Sequence, residues 1–100
     1  MTLQEGLNIL RVDPDGGAND TLIQSLIDAI PDYIKVTTGM SATQQKQEAL
    51  VKTVSGFILT MWYYADHADD MALKRTIDNL LKCITLKVDR SIKDGQEGNA

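Results

Sequence analysis

The residues best suited to hold a metal ion fall in two short acidic stretches. His67, the only histidine, lies within Asp66 to Asp70, a segment that also holds three aspartates. One imidazole with hard oxygen donors is a poor match to the Cys and His ligands of zinc sites. A solvated loop that caps the following helix explains the same residues. We therefore expect a loop here and no metal.

The second acidic stretch resembles the start of a calcium loop. Asp13, Asp15 and Asn19 would supply oxygen ligands at alternate places. An EF-hand also requires Gly at the sixth place and a bidentate Glu at the twelfth. Those places hold Ala18 and Gln24. We interpret the stretch as a solvated turn between helices.

Nucleophilic catalysis has one candidate, Cys83, the only cysteine. A cysteine nucleophile needs a general base and an orienting group, and no histidine lies near it in the sequence. We expect Cys83 to be a small semi-buried residue at the edge of an apolar helix face. The chain also has no glycine-rich phosphate loop and no paired-cysteine motif. The sequence predicts a protein that is not an enzyme and needs no cofactor.

Composition narrows the remaining classes. One hundred residues with 43% apolar content and a net charge of −4 indicate one globular domain. An acidic chain repels phosphates, which disfavours non-specific nucleic-acid binding. No run of eighteen apolar residues occurs, so we expect no membrane partner. A single cysteine suits a reducing cytoplasm.

Local signals place the first two helices. Thr2 and Glu5 have the spacing of a capping box, which predicts a helix over residues 3–11. A second helix should open after Asn19 or Asp20, since either residue can cap it.

The next segment contains signals that interrupt helices. Pro31 predicts a kink in the second helix or a break into two, and Gly39 stands where a C-terminal glycine cap belongs. Ser41 and Gln44 repeat the capping-box spacing and predict a third helix over residues 42–65.

The second half of that third helix organises the fold. Its apolar residues recur at three- and four-residue steps, and it holds the only Phe and the only Trp. We expect it to be the central helix, with another helix approaching closely at Gly56. Whether Trp62 belongs to the core of the monomer or to a neighbouring subunit stays open. The predicted core anchors are Phe57, Trp62, Tyr63, Leu26, Tyr33 and Leu80.

The last helix opens after Asp69 or Asp70 and carries an apolar face as far as Val88. Residues 1–88 are predicted to form the helical domain, and the polar residues 89–100 a tail that is disordered in isolation. The predicted fold class is all-α, a small bundle of about four helices around a long central helix, with a flexible C-terminal tail.

Charge is distributed unevenly. Residues 1–50 carry three Lys or Arg against seven Asp or Glu, whereas residues 82–93 have a local charge of +3. Copies stacked head to tail would bring acidic and basic surfaces together, although two unrelated solvated patches explain the same pattern. The candidate subunit or partner interface consists of Lys82, Lys87, Arg90, Lys93, Asp28 and Asp32.

The order of these elements resembles the head–tail connector (adaptor or head-completion) family of tailed bacteriophages. The resemblance covers residues 3–86. It is carried by Leu10-Arg11-Val12-Asp13, by the run from Leu22 to Gly39, and by Trp62-Tyr63.

The resemblance implies a structural role. Copies would form a ring, a dodecamer like the portal, that docks beneath the portal protein and receives a downstream head-completion or tail protein. DNA would pass through the channel without sequence-specific binding. The protein would reside in the virion at the head–tail interface, and in the host cytoplasm during assembly.

The alternative is a small helical regulatory or DNA-binding protein of phage or bacterial origin. Its recognition helix would be the last one, which carries Lys74, Arg75, Lys82 and Lys87. Asp78 on the same helix and the acidity of the whole chain weaken this alternative.

Overall fold

The chain folds into a small all-α bundle, as predicted. The computed structural model describes residues 1–64 and 71–98, with side chains as far as Arg90. The helices are α1 (Leu3–Leu10), α2 (Ala18–Thr38), α3 (Ala42–Gln45), α4 (Ala49–Tyr63) and α5 (Met71–Gly98). Helix α4 contacts α1, α2 and α5, whereas α2 contacts α1, α3, α4 and α5, and both α2 and α5 are longer than α4.

The core forms where one apolar face of each long helix meets the others. Removing these faces from water is the main driving force for folding. The residues with 2% exposure or less are Leu7 of α1, Ile23, Ile30 and Ile34 of α2, Val54, Ile58 and Leu59 of α4, and Ile77 and Ile84 of α5.

Helix α1 begins as its capping box predicts. The Thr2 hydroxyl accepts from the amide of Glu5, and the Glu5 carboxylate accepts from the amide of Thr2 at 3.0 Å. Hydrogen bonding of the Glu5 carboxylate to Thr2, first of all to its backbone amide, holds the pKa of Glu5 below its ordinary value. The helix ends at Leu10, within one residue of the predicted end.

Helix α2 begins earlier than predicted, at Ala18 with Gly17 as its N-cap residue, so neither Asn19 nor Asp20 is the cap. The Asp15 carboxylate, which precedes the helix, accepts from the amides of Gly17, Asn19 and Asp20 instead. A side chain outside the helix therefore satisfies donors of the first turn, and the helix starts upstream of the predicted caps.

Pro31 does not break α2, which runs without interruption to Thr38. Proline lacks one backbone donor. The Pro31 carbonyl accepts a hydrogen bond from the side-chain amide of Gln45 at 3.0 Å. Gly39 ends the helix in the left-handed conformation, with φ 83°, as the glycine cap predicts.

The predicted continuous helix over residues 42–65 is wrong, because α3 and α4 are separate helices. Ser41 and Gln44 do form the predicted capping box. The buried side-chain amide of Gln45 then donates to the carbonyls of Pro31 and Met40, both at 3.0 Å. These bonds hold α3 against the C-terminal part of α2. The next helix, α4, begins after Glu48, whose carboxylate caps it.

Helix α5 extends beyond the predicted boundary at Val88, since its backbone is helical as far as Gly98. The tail's disorder in isolation stays a prediction. The predicted caps Asp69 and Asp70 lie outside the described residues, as does the cluster around His67.

Two glycines lie where helices approach one another. At Gly56, predicted as such a site, an added Cβ would lie 3.5 Å from Cδ1 of Ile9 in α1, an ordinary contact distance. At Gly6, which the sequence analysis missed, it would lie 2.6 Å from Cδ1 of Ile27 and 3.2 Å from Cδ2 of Leu59. The tightest approach of α1 to the bundle is therefore at Gly6.

These two glycines form a matched pair for mutation. We expect Gly6→Ala to lower the free energy of unfolding by about 1 kcal/mol, because overpacking outweighs the gain in helix propensity. Gly56→Ala should be neutral or stabilising by up to about 1 kcal/mol, since its methyl group has room. Urea denaturation followed by circular dichroism measures both; equal stability of the two variants would contradict the described packing of α1.

Candidate assembly surfaces

The aromatic end of α4 is used within the monomer. The Trp62 ring packs edge-on against Tyr33 of α2, with centroids 5.4 Å apart. The Tyr63 hydroxyl donates to the side-chain oxygen of Asn19 at 2.9 Å, and the Tyr64 hydroxyl donates to the carbonyl of Leu10 at 3.0 Å. These contacts attach the end of α4 to the first two helices.

The predicted core anchors fall into two groups. Five are half-buried and pack against the buried core: Leu26, Tyr33, Trp62, Tyr63 and Leu80. Phe57 is 36% exposed and does not anchor the core, which corrects that prediction. Its helical neighbours Val54 and Ile58 point inward and are fully buried. Phe57 was predicted as a core anchor from its aromatic side chain, and its position on the helix places it at the surface instead.

The outer side of α2 carries a face that we call the acidic face: Asp28, Asp32 and Val36. The exposed Lys35 lies on the same side of the helix. Asp32 and Val36 follow the buried Ile23 and Ile27 by nine residues, which is about two and a half turns. They therefore point away from the core. Val36 is 87% exposed, far more than a branched apolar side chain usually is. Val36 was not among the predicted interface residues.

The outer side of α5 carries two exposed cations, on what we call the basic face: Lys82, Leu86 and Arg90. The exposed Asp89 lies beside this face. Leu86 and Arg90 follow the buried Ile77 and Leu81 by the same nine residues. Leu86 is 51% exposed and lies between the two cations. The predicted interface residues Lys82 and Arg90 thus share one exposed face, whereas the side chain of Lys93 lies outside the described part.

Lys87, also predicted as an interface residue, is bound within its own molecule. Its ammonium lies 3.0 Å from the carboxylate of Glu48 at the start of α4. The hydrogen bond from Lys87, and then that from the amide of Leu50, hold the pKa of Glu48 below its ordinary value. This ion pair joins α5 to the cap of α4, so Lys87 has a partner within its own molecule, and its place at an interface stays a prediction.

Within the described residues, the candidates first considered for chemistry serve the fold or lie at the surface. Cys83 is exposed, which contradicts its predicted semi-buried position. Hydrogen bonds from the backbone amides of Gly17, Asp20 and Asn19 lower the pKa of Asp15, whose carboxylate caps α2. In the parts of the chain that the structure describes, no three His, Cys, Asp or Glu residues are grouped to hold a metal ion.

A groove of about 620 Å³ lies between α1, Pro31 and the segment that joins α3 to α4. Its lining includes Glu5, Gln45 and Glu48. All three side chains already form the helix-capping and helix-joining bonds described above. Because these groups hold the fold together, the groove is a weaker candidate site than the two charged faces.

Comparisons with protein families, with curated proteins and with solved structures return no significant match to this chain. Within residues 1–64 and 71–98, none of the helices is both long and apolar enough to cross a lipid bilayer. The two outer faces are therefore interpreted from their own geometry and charge.

The ion pair between Glu48 and Lys87 makes a pH-dependent prediction. A lowered carboxylate pKa stabilises the fold above the unfolded pKa of about 4.3, and this contribution is lost as the pH falls through the folded pKa. We expect Lys87→Met to lower the unfolding midpoint at pH 7 and to have a smaller effect at pH 3. Lys74→Met, a change of the same type on α5, is the control. A deficit for Lys87→Met that is equal at both pH values would contradict the described pair.

Proposed function

We propose that this chain is a structural subunit without enzymatic activity that assembles into a ring, as a head–tail connector of a tailed bacteriophage does. The observation that carries the proposal is the presence of two outer helix faces of opposite charge on one small helical body. Each face includes a strongly exposed aliphatic side chain, Val36 or Leu86. Such faces are suited to contacts between molecules.

The two faces cannot satisfy each other within one molecule. The isoleucine row of α2 and the apolar row of α5 both point into the shared core, so the opposite sides of these helices point away from it. A contact between unlike faces of successive copies is heterologous, and such contacts close into rings when the rotation permits. Ring assembly is therefore the simplest use of this charge distribution.

In the proposed assembly the ring, a dodecamer like the portal, docks on the portal protein and presents its other side to a head-completion or tail protein. The net charge of −4 supports a channel that DNA passes without binding, because like charges repel. The proposed location is the virion at the head–tail interface, after assembly in the host cytoplasm. The sequence resemblance of residues 3–86 supports this role.

Mass and shape test this function. The purified chain should assemble into closed rings visible by negative-stain microscopy, or do so once the portal protein of the same phage or prophage is added. Co-purification with that portal is the second readout. A strict monomer of 11.0 kDa that also fails to bind the portal would contradict the proposal.

The DNA-binding alternative rests on the cations of α5, since Lys74, Arg75, Lys82 and Arg90 are all exposed. Two exposed acids, Asp78 and Asp89, lie among them and disfavour a phosphate-binding helix. We expect no binding of a labelled DNA duplex at physiological salt by fluorescence anisotropy. Salt-dependent, saturable binding there would favour the alternative function.

A further inference from the structure

We infer that the acidic face of one copy packs against the basic face of the next copy, with Val36 in contact with Leu86. This inference rests on the proposed function, since it requires adjoining copies. It goes further by naming the partner of each face and the residues at the centre of the contact.

The residues of the two faces have the same spacing along their helices. Asp28, Asp32 and Val36 follow one another at four-residue steps, and so do Lys82, Leu86 and Arg90. At a rise of 1.5 Å per residue, each set spans about 12 Å along its helix. With Val36 beside Leu86, two helices packed side by side bring two of the three positions of each set together.

Asp32 can pair with a cation of the basic face in either direction of packing, although parallel packing also brings Asp28 beside Asp78. Leu86 has a cation one helical turn away on each side, Lys82 before it and Arg90 after it. When Val36 meets Leu86, Asp32 lies near one of these cations whether the helices run parallel or antiparallel. One carboxylate–cation pair then lies beside an apolar contact, as polar groups lie beside the apolar core in other interfaces.

The exposed apolar side chains of the two faces need a partner to cover them. Val36 is 87% exposed and Leu86 51% exposed, so each apolar side chain is left in water by the single chain. The same chain supplies the complementary charge at the same spacing, but on a face that points elsewhere. A second copy is therefore the occupant that the charges and spacing select.

Cross-linking tests the central contact. The variant Val36→Cys/Leu86→Cys, made in a Cys83→Ser background, would be treated with a short bis-maleimide across a range of protein concentrations. A head-to-tail contact predicts a ladder of covalent multimers. Each single-cysteine variant provides the matched control, because one thiol per chain allows a dimer at most. Absence of the ladder up to millimolar protein would overturn the inference.

Charge reversal tests the flanking pairs by an independent route. Asp32→Lys alone and Lys82→Glu/Arg90→Glu alone should each raise the concentration of half-assembly about tenfold or more, because like charges then oppose each other. Combining all three changes in one chain should restore assembly. Asp13→Lys and Lys46→Glu/Lys52→Glu alter the same number of charges away from both faces and should leave assembly unchanged.

The outcomes separate this contact from the proposed function. Rings that form without the cross-linked ladder, and that tolerate the reversals, would overturn the contact and leave the connector function standing. A ladder that forms in a chain unable to bind a portal would support the contact and contradict the function.

Discussion

The burial of the isoleucine row of α2 is the constraint on which the other features depend. Ile23, Ile27, Ile30 and Ile34 are at most 4% exposed and meet residues of α1, α4 and α5. Once this row is inside, the helical repeat places Asp32 and Val36 on the opposite side. In the proposed assembly, this one helix would serve the core with one face and the contact between copies with the other.

Local signals account for the parts of the fold that the sequence predicts well. A capping box involves residues three apart, so Thr2 and Glu5, and Ser41 and Gln44, could be recognised without any tertiary structure. The same holds for Gly39, whose left-handed conformation suits a residue without a side chain. These features depend on nothing distant in the chain.

The failures arise where a distant contact decides the structure. The break between α3 and α4 depends on Gln45 reaching Pro31, fourteen residues away, which helix propensity cannot show. Lys87 was counted as a surface cation because its partner Glu48 lies 39 residues away in the sequence. Gly6 was missed because the side chains that crowd it come from α2 and α4.

The candidate surfaces lie between these two cases. Counting charges found Asp28, Asp32, Lys82 and Arg90, whereas Val36 and Leu86, which lie off the apolar faces of their helices, were assigned no role. A helical projection would have found both, since each falls opposite the row that its own helix buries. The sequence thus contains the signal for both faces, whereas their orientation on the body requires the folded structure.

Sedimentation velocity of the unmodified chain at two salt concentrations tests the central claim most directly. If oppositely charged faces hold copies together, the chain sediments as an assembled species at low salt and shifts toward a monomer of 11.0 kDa at about 0.5 M salt, where charges are screened beyond a few ångströms. A monomer at both salt concentrations, at every protein concentration tested, would contradict the proposed contact between the unlike faces.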